Sequence, residues 1–365
     1  MKVRIDNKIK DISSLWWDSK NGLQMIDQRK LPFVFEIYSA KSVEDVCFAI
    51  KDMVVRGAPL IGVTGAYGLV LEALHFKGDN FEHFKKVMKE ASKKLLQTRP
   101  TAVDLSNIQI RMLVLLESLK SVSELQQQFL SLANIIRDEI IAECRKIGEI
   151  GNQLIAKKHT NIMTICNAGA LATVDIGTAL APIRKAHQDG KKLTVYVPET
   201  RPRVQGGRLT AWELENEGID HTIIVDSAMG YYVKEGKIDL VITGADRICY
   251  NGDTANKIGT YLLSLACKEN NIPFYVAAPI STFDLSKTAD SFTIENRLGM
   301  EVQSVLSVED KNDNNPKRRI IHNLSSNNLN PAFDVTPNQN ITGFITPRGI
   351  IKQPYDKNIR KLLGK

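Results

Sequence analysis

The chain has 365 residues, 43% of them hydrophobic and 24% charged, which is enough for two buried cores and ordinary for a globular protein. Its 48 Lys and Arg against 41 Asp and Glu give a formal net charge of +7, scattered in pairs such as Lys85-Lys86 and Lys191-Lys192. No basic stripe interleaved with aromatics and no nucleic-acid motif occurs, so the charge predicts a solvated surface and a field that steers a phosphorylated small molecule, with no nucleic acid as partner.

Five cysteines (Cys47, Cys144, Cys166, Cys249 and Cys267) form no Cys-x-x-Cys pair, and the six histidines lack metal-ligand spacing. No signal peptide is read at the start, and no apolar run approaches ~18 residues. These features predict reduced thiols in a cytosol, no metal and no membrane span.

The first ~40 residues read as short strands and turns, with a turn cluster at Asp18-Ser19-Lys20-Asn21-Gly22. Ser42 and Asp45 have capping-box spacing ahead of a helix that carries Val43, Val46, Ile50 and Val54 on one face. Arg56-Gly57-Ala58-Pro59 then opens a second helix. Pro59 suits its first turn, Gly57 frees backbone N–H groups to face an anion, and Arg56 adds a fork that matches phosphate oxygens. Inside this apolar helix Gly62, Gly65 and Gly68 recur every third residue, which predicts close helix packing and not a phosphate loop. A basic amphipathic helix from Phe81 to Leu96 is broken by Pro100. Arg99 is there a further candidate anion ligand, and Thr101 can cap the next helix. Helical patterns continue from Ala102 to about Leu119 and from Ser123 to about Lys157.

From Thr160 the pattern changes to five apolar runs separated by helical segments: Asn161–Cys166, Leu193–Pro198, His221–Asp226, Leu240–Gly244 and Phe274–Ala278. Alternating strands and helices predict a parallel sheet, which binds ligands outside the carboxyl ends of its strands. Those ends read Cys166, Glu199, Asp226, Asp246 and Ser281. A thiol and three carboxylates gathered at one edge suggest a site. Cys166-Asn167-Ala168-Gly169 turns the first strand into a small-residue helix through Ala172, Gly177, Ala179 and Ala181, a usual place to hold an anion. The loop from Glu199 to Arg208 contributes Gln205, and Asn256-Lys257 follow the Asp246 strand. Residues 303–328 are polar and predict a flexible excursion, and Gly343-Phe344-Ile345-Thr346 a last strand.

Taken in order, several of these motifs resemble the methylthioribose-1-phosphate isomerases, in the broader group that contains the regulatory subunits of translation initiation factor 2B. The matching stretches are Val55-Arg56-Gly57-Ala58-Pro59, Arg99-Pro100-Thr101-Ala102, Cys166-Asn167-Ala168-Gly169 running to Thr173, Glu199-Thr200-Arg201-Pro202 running to Trp212, Gly244-Ala245-Asp246-Arg247, Asn251-Gly252-Asp253, Asn256-Lys257-Ile258-Gly259-Thr260 and Asn330-Pro331-Ala332-Phe333-Asp334. The resemblance implies an α/β fold: a mainly helical N-terminal domain with a small β element over residues 1–125, then a Rossmann-like parallel-sheet catalytic domain over 126–365. It also implies a cytoplasmic homodimer that needs no cofactor. The implied reaction converts S-methyl-5-thio-α-D-ribose 1-phosphate to the ribulose 1-phosphate in methionine salvage.

On this resemblance Cys166 matches the catalytic cysteine and Asp246 the catalytic acid. Arg56, Gly57, Ala58, Arg99, Gln205, Asn256 and Lys257 match substrate-binding positions. The chemistry accounts for the acid. Phosphate blocks the anomeric oxygen, so the ring opens only if an acid protonates the ring oxygen. Hydrogen then moves from C2 to C1, either as a proton with Cys166 as base or stabiliser, or as hydride in a dry pocket that Cys166 helps to shape. The chain departs from many relatives in having Ile165 before the cysteine and Val197-Pro198 before Glu199. Alternative readings are a paralogous isomerase of 5-deoxyribose 1-phosphate or ribose 1,5-bisphosphate, and a non-catalytic regulatory subunit.

Overall fold

The structure is a computed structural model that describes residues 1–5, 8–100, 102–118, 121–156, 158–286, 288–289, 294–310 and 313–364. The capping role expected of Thr101 lies outside the described residues.

The N-terminal β element is a ribbon, β1 (Lys2–Ile5) with β2 (Lys8–Asp11), and a meander of β3 (Leu15–Asp18), β4 (Gly22–Ile26) and β5 (Ile37–Ala40). Asp18 Oδ1 accepts from the N–H groups of Lys20 and Asn21 at 2.8 Å, which closes the expected turn. Helices follow: α1 (Val43–Lys51), α2 (Ala58–His75), α3 (Phe81–Thr98), α4 (Val103–Leu113), the single turn α5 (Leu115–Ser118) and α6 (Val122–Asn152). The capping box at α1 is formed in both directions, between Ser42 Oγ and the Asp45 N–H and between Asp45 Oδ2 and the Ser42 N–H, a device worth about 1 kcal/mol.

Helix α2 has 18 residues and is apolar enough to cross a membrane by length and composition, closer to that limit than the sequence pattern predicted. With 78% of it buried under α1, α3, α4 and α6, it is the core of this half. Its three glycines explain how it packs. A Cβ on Gly62 would meet Ile108 at 2.6 Å, one on Gly65 would meet Leu105 at 2.4 Å, and one on Gly68 would meet Leu95 and Val46 at 3.0 Å. Each glycine thus seats a neighbouring helix, as its spacing predicted.

The second half is organised by a seven-stranded sheet: β6 (Thr160–Met163), β7 (Leu193–Pro198), β8 (His221–Ile224), β9 (Leu240–Thr243), β12 (Phe274–Ala277), β17 (Gly343–Thr346) and β18 (Gly349–Ile351). Its order is β18-β17-β12-β9-β6-β7-β8, parallel except for β18. Between these strands run α7 (Ala170–Thr173), α8 (Leu180–Gln188), α9 (Ala211–Glu217), α10 (Met229–Lys234) and α11 (Thr260–Glu269). A small four-stranded sheet joins β10 (Arg247–Cys249), β11 (Thr254–Lys257), β13 (Phe283–Asp284) and β16 (Phe333–Thr336). After α12 (Met300–Gln303), the polar stretch expected to be a flexible excursion forms an antiparallel hairpin, β14 (Ser304–Ser307) with β15 (Lys317–Ile320). The chain ends in α13 (Tyr355–Leu363).

The boundary expected at 125/126 falls inside α6. Its early residues Leu125, Phe129 and Ala133 belong to the core around α2, whereas Ile147 belongs to the core beneath the parallel sheet. The helix expected after Cys166 also differs. It stops after one turn at Thr173 and resumes at Leu180.

Candidate active site

In the parallel sheet the chain proceeds outward from β6 through β7 to β8 on one side, and from β9 through β12 to β17 on the other. Strands β6 and β9 are therefore neighbours whose connections leave in opposite directions, and a crevice opens above their carboxyl ends. Cys166 lies just beyond β6 and Asp246 just beyond β9. The N-terminal half closes over this crevice with Arg56, Gly57 and Arg99. Gly57 caps α2 at φ +98°, and a Cβ there would lie 2.5 Å from the Ala172 carbonyl oxygen. Only glycine allows the start of α2 to rest against α7.

Cys166 adopts φ +66°, uncommon for a residue other than glycine. Three bonds hold it there: its N–H donates to Thr200 Oγ1 at 3.0 Å, its carbonyl accepts from Thr210 Oγ1 at 2.7 Å, and Arg56 Nη1 donates to the next carbonyl, of Asn167, at 2.7 Å. Its sulfur accepts from Arg56 Nη2 at 3.3 Å and from Gln205 Nε2 at 3.4 Å. Burial pushes the thiols of Cys144, Cys249 and Cys267 up to about 12, so they are inert packing groups.

The crevice opens into a cleft with a cavity of about 80 Å³. Arg29, Arg56, Arg99, Arg203, Arg208, Arg297 and Lys257 give its lining seven cations, against the single carboxyl of Asp246. Some have partners behind the wall. Arg203 pairs with Glu301 at 2.6 Å, Arg297 with Glu295 at 3.0 Å, and Arg99 approaches Glu295 at 3.8 Å. Others have no ion-pair partner among the described residues. Arg208 spends its donors on the carbonyls of Gln28, Arg29 and Leu31, and burial lowers it to about 10. Lys257 donates to the Ala332 carbonyl at 2.7 Å and lies 4.6 Å over the Phe333 ring. Burial and the charges of Arg297 and Arg56 lower it to about 8. A wall with this excess of desolvated positive charge is complementary to a multiply charged anion such as a phosphate. Gln205 Oε1 is buried without a partner among the described residues, an acceptor open to a ligand hydroxyl.

Of the nine residues expected at the site, the cleft brings together Arg56, Gly57, Arg99, Cys166, Gln205, Asp246 and Lys257. Ala58 begins α2 behind Gly57, and the Asn256 amide turns to Thr260 Oγ1 at 3.0 Å, so neither is on the lining. Of the five strand ends, Glu199, Asp226 and Ser281 are also off it. Asp226 instead accepts from the N–H groups of Thr200 and Arg201, which builds the turn beside Cys166. Sequence reasoning missed Gln28, Arg29, Met53 and Arg297 as cleft residues, and it did not single out Arg203, Arg208, Leu209 or Phe333 from the motifs that contain them. Phe333 could have been found from strand pairing, because it is the register partner of Lys257. Arg297 stands in no motif and reaches the cleft through the tertiary fold alone.

The anion expected at the turn after Cys166 is the protein's own. Glu213 Oε2 accepts from the Ala170 N–H at 2.8 Å, and its Oε1 from the Leu171 N–H at 3.2 Å. Arg184 Nη2 donates to the same carboxylate at 2.7 Å. Removing one partner from such a buried pair costs about 3–5 kcal/mol.

Fold and cleft together define a doubly wound α/β protein whose switch-point crevice sets a thiol and a carboxyl among cationic side chains. A profile of the initiation factor 2 subunit family matches residues 54–353, and the chain belongs to that family. It is similar to the methylthioribose-1-phosphate isomerase of Caldanaerobacter subterraneus subsp. tengcongensis, with 48% identity over 93% of this chain and 96% of the relative. Its similarity to that of Thermotoga neapolitana is 47%, over 98% and 99%. Among solved structures, 5-methylthioribose 1-phosphate isomerase from Pyrococcus horikoshii superposes with a TM-score of 0.87 at 37% identity, covering 97% of this chain and 96% of that one. A chain from A. fulgidus described as translation initiation factor eIF-2B subunit delta gives 0.83 at 42% identity, covering 97% and 100%.

Proposed function

We propose that this chain is an aldose–ketose isomerase that converts S-methyl-5-thio-α-D-ribose 1-phosphate to S-methyl-5-thio-D-ribulose 1-phosphate, serving methionine salvage in the cytoplasm. The observation that carries this reading is that Cys166 and Asp246, just beyond the carboxyl ends of neighbouring strands, line one cleft with seven cations. The mainly helical residues 1–125 supply phosphate ligands, and residues 126–365 supply the reacting pair. Arg56, Arg99 and Lys257 hold the phosphate, with the backbone at Gly57 and Ala58. Gln205 serves the sugar, Asn256 reaches it by turning its amide from Thr260 into the cleft, and Met53 and Leu209 give the cleft an apolar wall that suits a methylthio group.

Asp246 delivers a proton to the ring oxygen as the bond from C1 to that oxygen breaks. Cys166 takes the proton from C2, which leaves an enol that keeps its phosphate. A proton returned to C1, with loss of the enol proton, completes the ketose. Two N–H donors aimed at the Cys166 sulfur favour this base route over hydride transfer. The test gives the purified protein the methylthioribose, 5-deoxyribose and ribose 1,5-bisphosphate substrates in turn and follows ketose formation by NMR. Preference for either rival sugar moves the assignment to that substrate. Activity on none supports the regulatory reading that the A. fulgidus relative brings. Deuterium at C1 of product formed in D₂O marks the base route.

Lys257 gives the site a pH limit. Held at about 8, below its ordinary value, it is charged below that pH and neutral above it. In kcat/KM, which reports the free enzyme, activity is expected to fall above pH 8. In kcat the limb moves to higher pH, because bound phosphate stabilises the ammonium. A Lys257→Met variant should lose the limb; a limb unchanged in that variant assigns it elsewhere.

The homodimer also belongs to this proposal. Ile223, Val225, Tyr231, Tyr261 and Leu262 leave an exposed apolar row on and beside the edge strand β8 and on the packed helices α10 and α11. Light scattering should give twice the chain mass of 40.7 kDa, and a single-chain mass would remove the dimer.

A further inference from the structure

We propose that Glu213 is a positioning residue for the isomerisation: its buried carboxylate orients Asn167, which in turn holds Arg56 against the Cys166 sulfur. The inference rests on the reading of Cys166 as the reacting thiol.

Glu213 lies on α9, off the cleft lining, with 1% of its surface exposed. Besides Ala170, Leu171 and Arg184, it accepts from Asn167 Nδ2 at 2.8 Å. A carboxylate only accepts, so the amide must present its NH₂ end to Glu213 and its oxygen to the opposite side. On that side Asn167 Oδ1 accepts from Arg56 Nη1 at 2.7 Å, and the Asn167 carbonyl accepts from the same nitrogen at 2.7 Å. A guanidinium is planar, so fixing Nη1 twice fixes where Nη2 points, which is at the Cys166 sulfur, 3.3 Å away. Room for the carboxylate is reserved: a Cβ on Gly169 would sit 2.2 Å from Glu213 Oε2.

A purely structural role for Glu213 would end at α7 and Arg184. The relay through Asn167 makes a different claim, and Asn167→Leu isolates it. That variant keeps the branched shape of the side chain and leaves the Glu213 bonds to Ala170, Leu171 and Arg184 in place. It removes the amide's bond to Thr210 and the Oδ1 bond that fixes Arg56 Nη1 a second time, so that the Asn167 carbonyl alone holds that nitrogen.

The full-length chain and its Glu213→Gln, Asn167→Leu and Cys166→Ser variants are compared by circular dichroism, by kcat and KM, and by the rate at which iodoacetamide alkylates Cys166, resolved by peptide mass spectrometry. Both relay variants are expected to lower kcat by about 10²-fold, as a displaced catalytic group does, with the larger change in kcat than in KM. Alkylation of Cys166 should change by about tenfold in the same direction in both, because the same cation has left the sulfur. Folded Asn167→Leu with kcat and Cys166 alkylation within twofold of the parent overturns the proposal. So does Glu213→Gln that lowers the melting temperature and leaves both rates unchanged. Should Glu213→Gln fail to fold, Asn167→Leu alone decides. An active Cys166→Ser variant would instead reject the role given to the thiol, and the alkylation rates, which need no turnover, would still report on the relay.

Discussion

Asp246→Asn and Cys166→Ser are each expected to reduce kcat by about 10³-fold, within the range that one general acid or base supplies. Both changes are nearly isosteric. Asparagine cannot give the ring oxygen a proton, and without that proton the phosphorylated anomeric centre has no route to open. Serine keeps the backbone bonds that set Cys166, but its hydroxyl is a far weaker base than a thiolate. The fold should persist. Asp246 is half-buried, and its N–H stays bonded to the Ala255 carbonyl at 2.9 Å whichever side chain follows. Parallel measurements of kcat and thermal melting check this. Turnover within tenfold of the parent, in a variant that melts normally, would falsify the role given to that residue.

The second large effect is structural in origin and catalytic in outcome. Gly57→Ala places a methyl carbon 2.5–2.7 Å from the oxygen, Cα and Cβ of Ala172 and forces a side chain onto φ +98°. Backbone strain and overpacking at such a site are together expected to cost about 3 kcal/mol. Relief comes only if α2 lifts from α7. That motion carries Arg56 away from Cys166 and Asn167, so activity should fall further than stability alone explains. Gly190→Ala is the control, because Gly190 also has a positive φ, +75°, but nothing stands within 4 Å of its added carbon. Calorimetry and kcat on the two variants separate strain from displacement. Equal melting temperatures and equal rates would show that the contact between α2 and α7 is not what the site depends on.

Much of the fold was legible in the residues because it depends on short-range rules. Ser42 and Asp45 cap a helix through bonds that span three residues, and the spacing of Gly62, Gly65 and Gly68 needs only the helical repeat to predict contact with neighbours. Alternation of apolar runs with helices was enough to predict a parallel sheet. Two expectations differ from the structure for separate reasons. The small, apolar composition after Cys166 predicts a continuous helix, yet the backbone leaves helical geometry at Val174, φ +157° and ψ −47°, before α8 begins. The hairpin of β14 and β15 was read as flexible because its residues are polar, yet backbone pairing does not require apolar side chains.

The residues by themselves determined the chemistry on offer: a cysteine at a strand tip, a carboxyl at another, and arginine forks beside glycine turns. Those are properties of side chains and of local backbone, and they survive without a fold. Only the tertiary structure decided which of them meet. Of five polar strand ends, Cys166 and Asp246 face the cleft because β6 and β9 flank the point where the sheet reverses its order. Asp226 and Glu199 lie off the lining, and Asp226 is consumed in holding the turn beside Cys166. Arg297 and Phe333 enter from far along the chain, and Glu213, unremarkable in sequence, takes the anion place first assigned to a ligand. Such assignments depend on strand order and on contacts between residues up to a hundred or more positions apart, which no local pattern encodes.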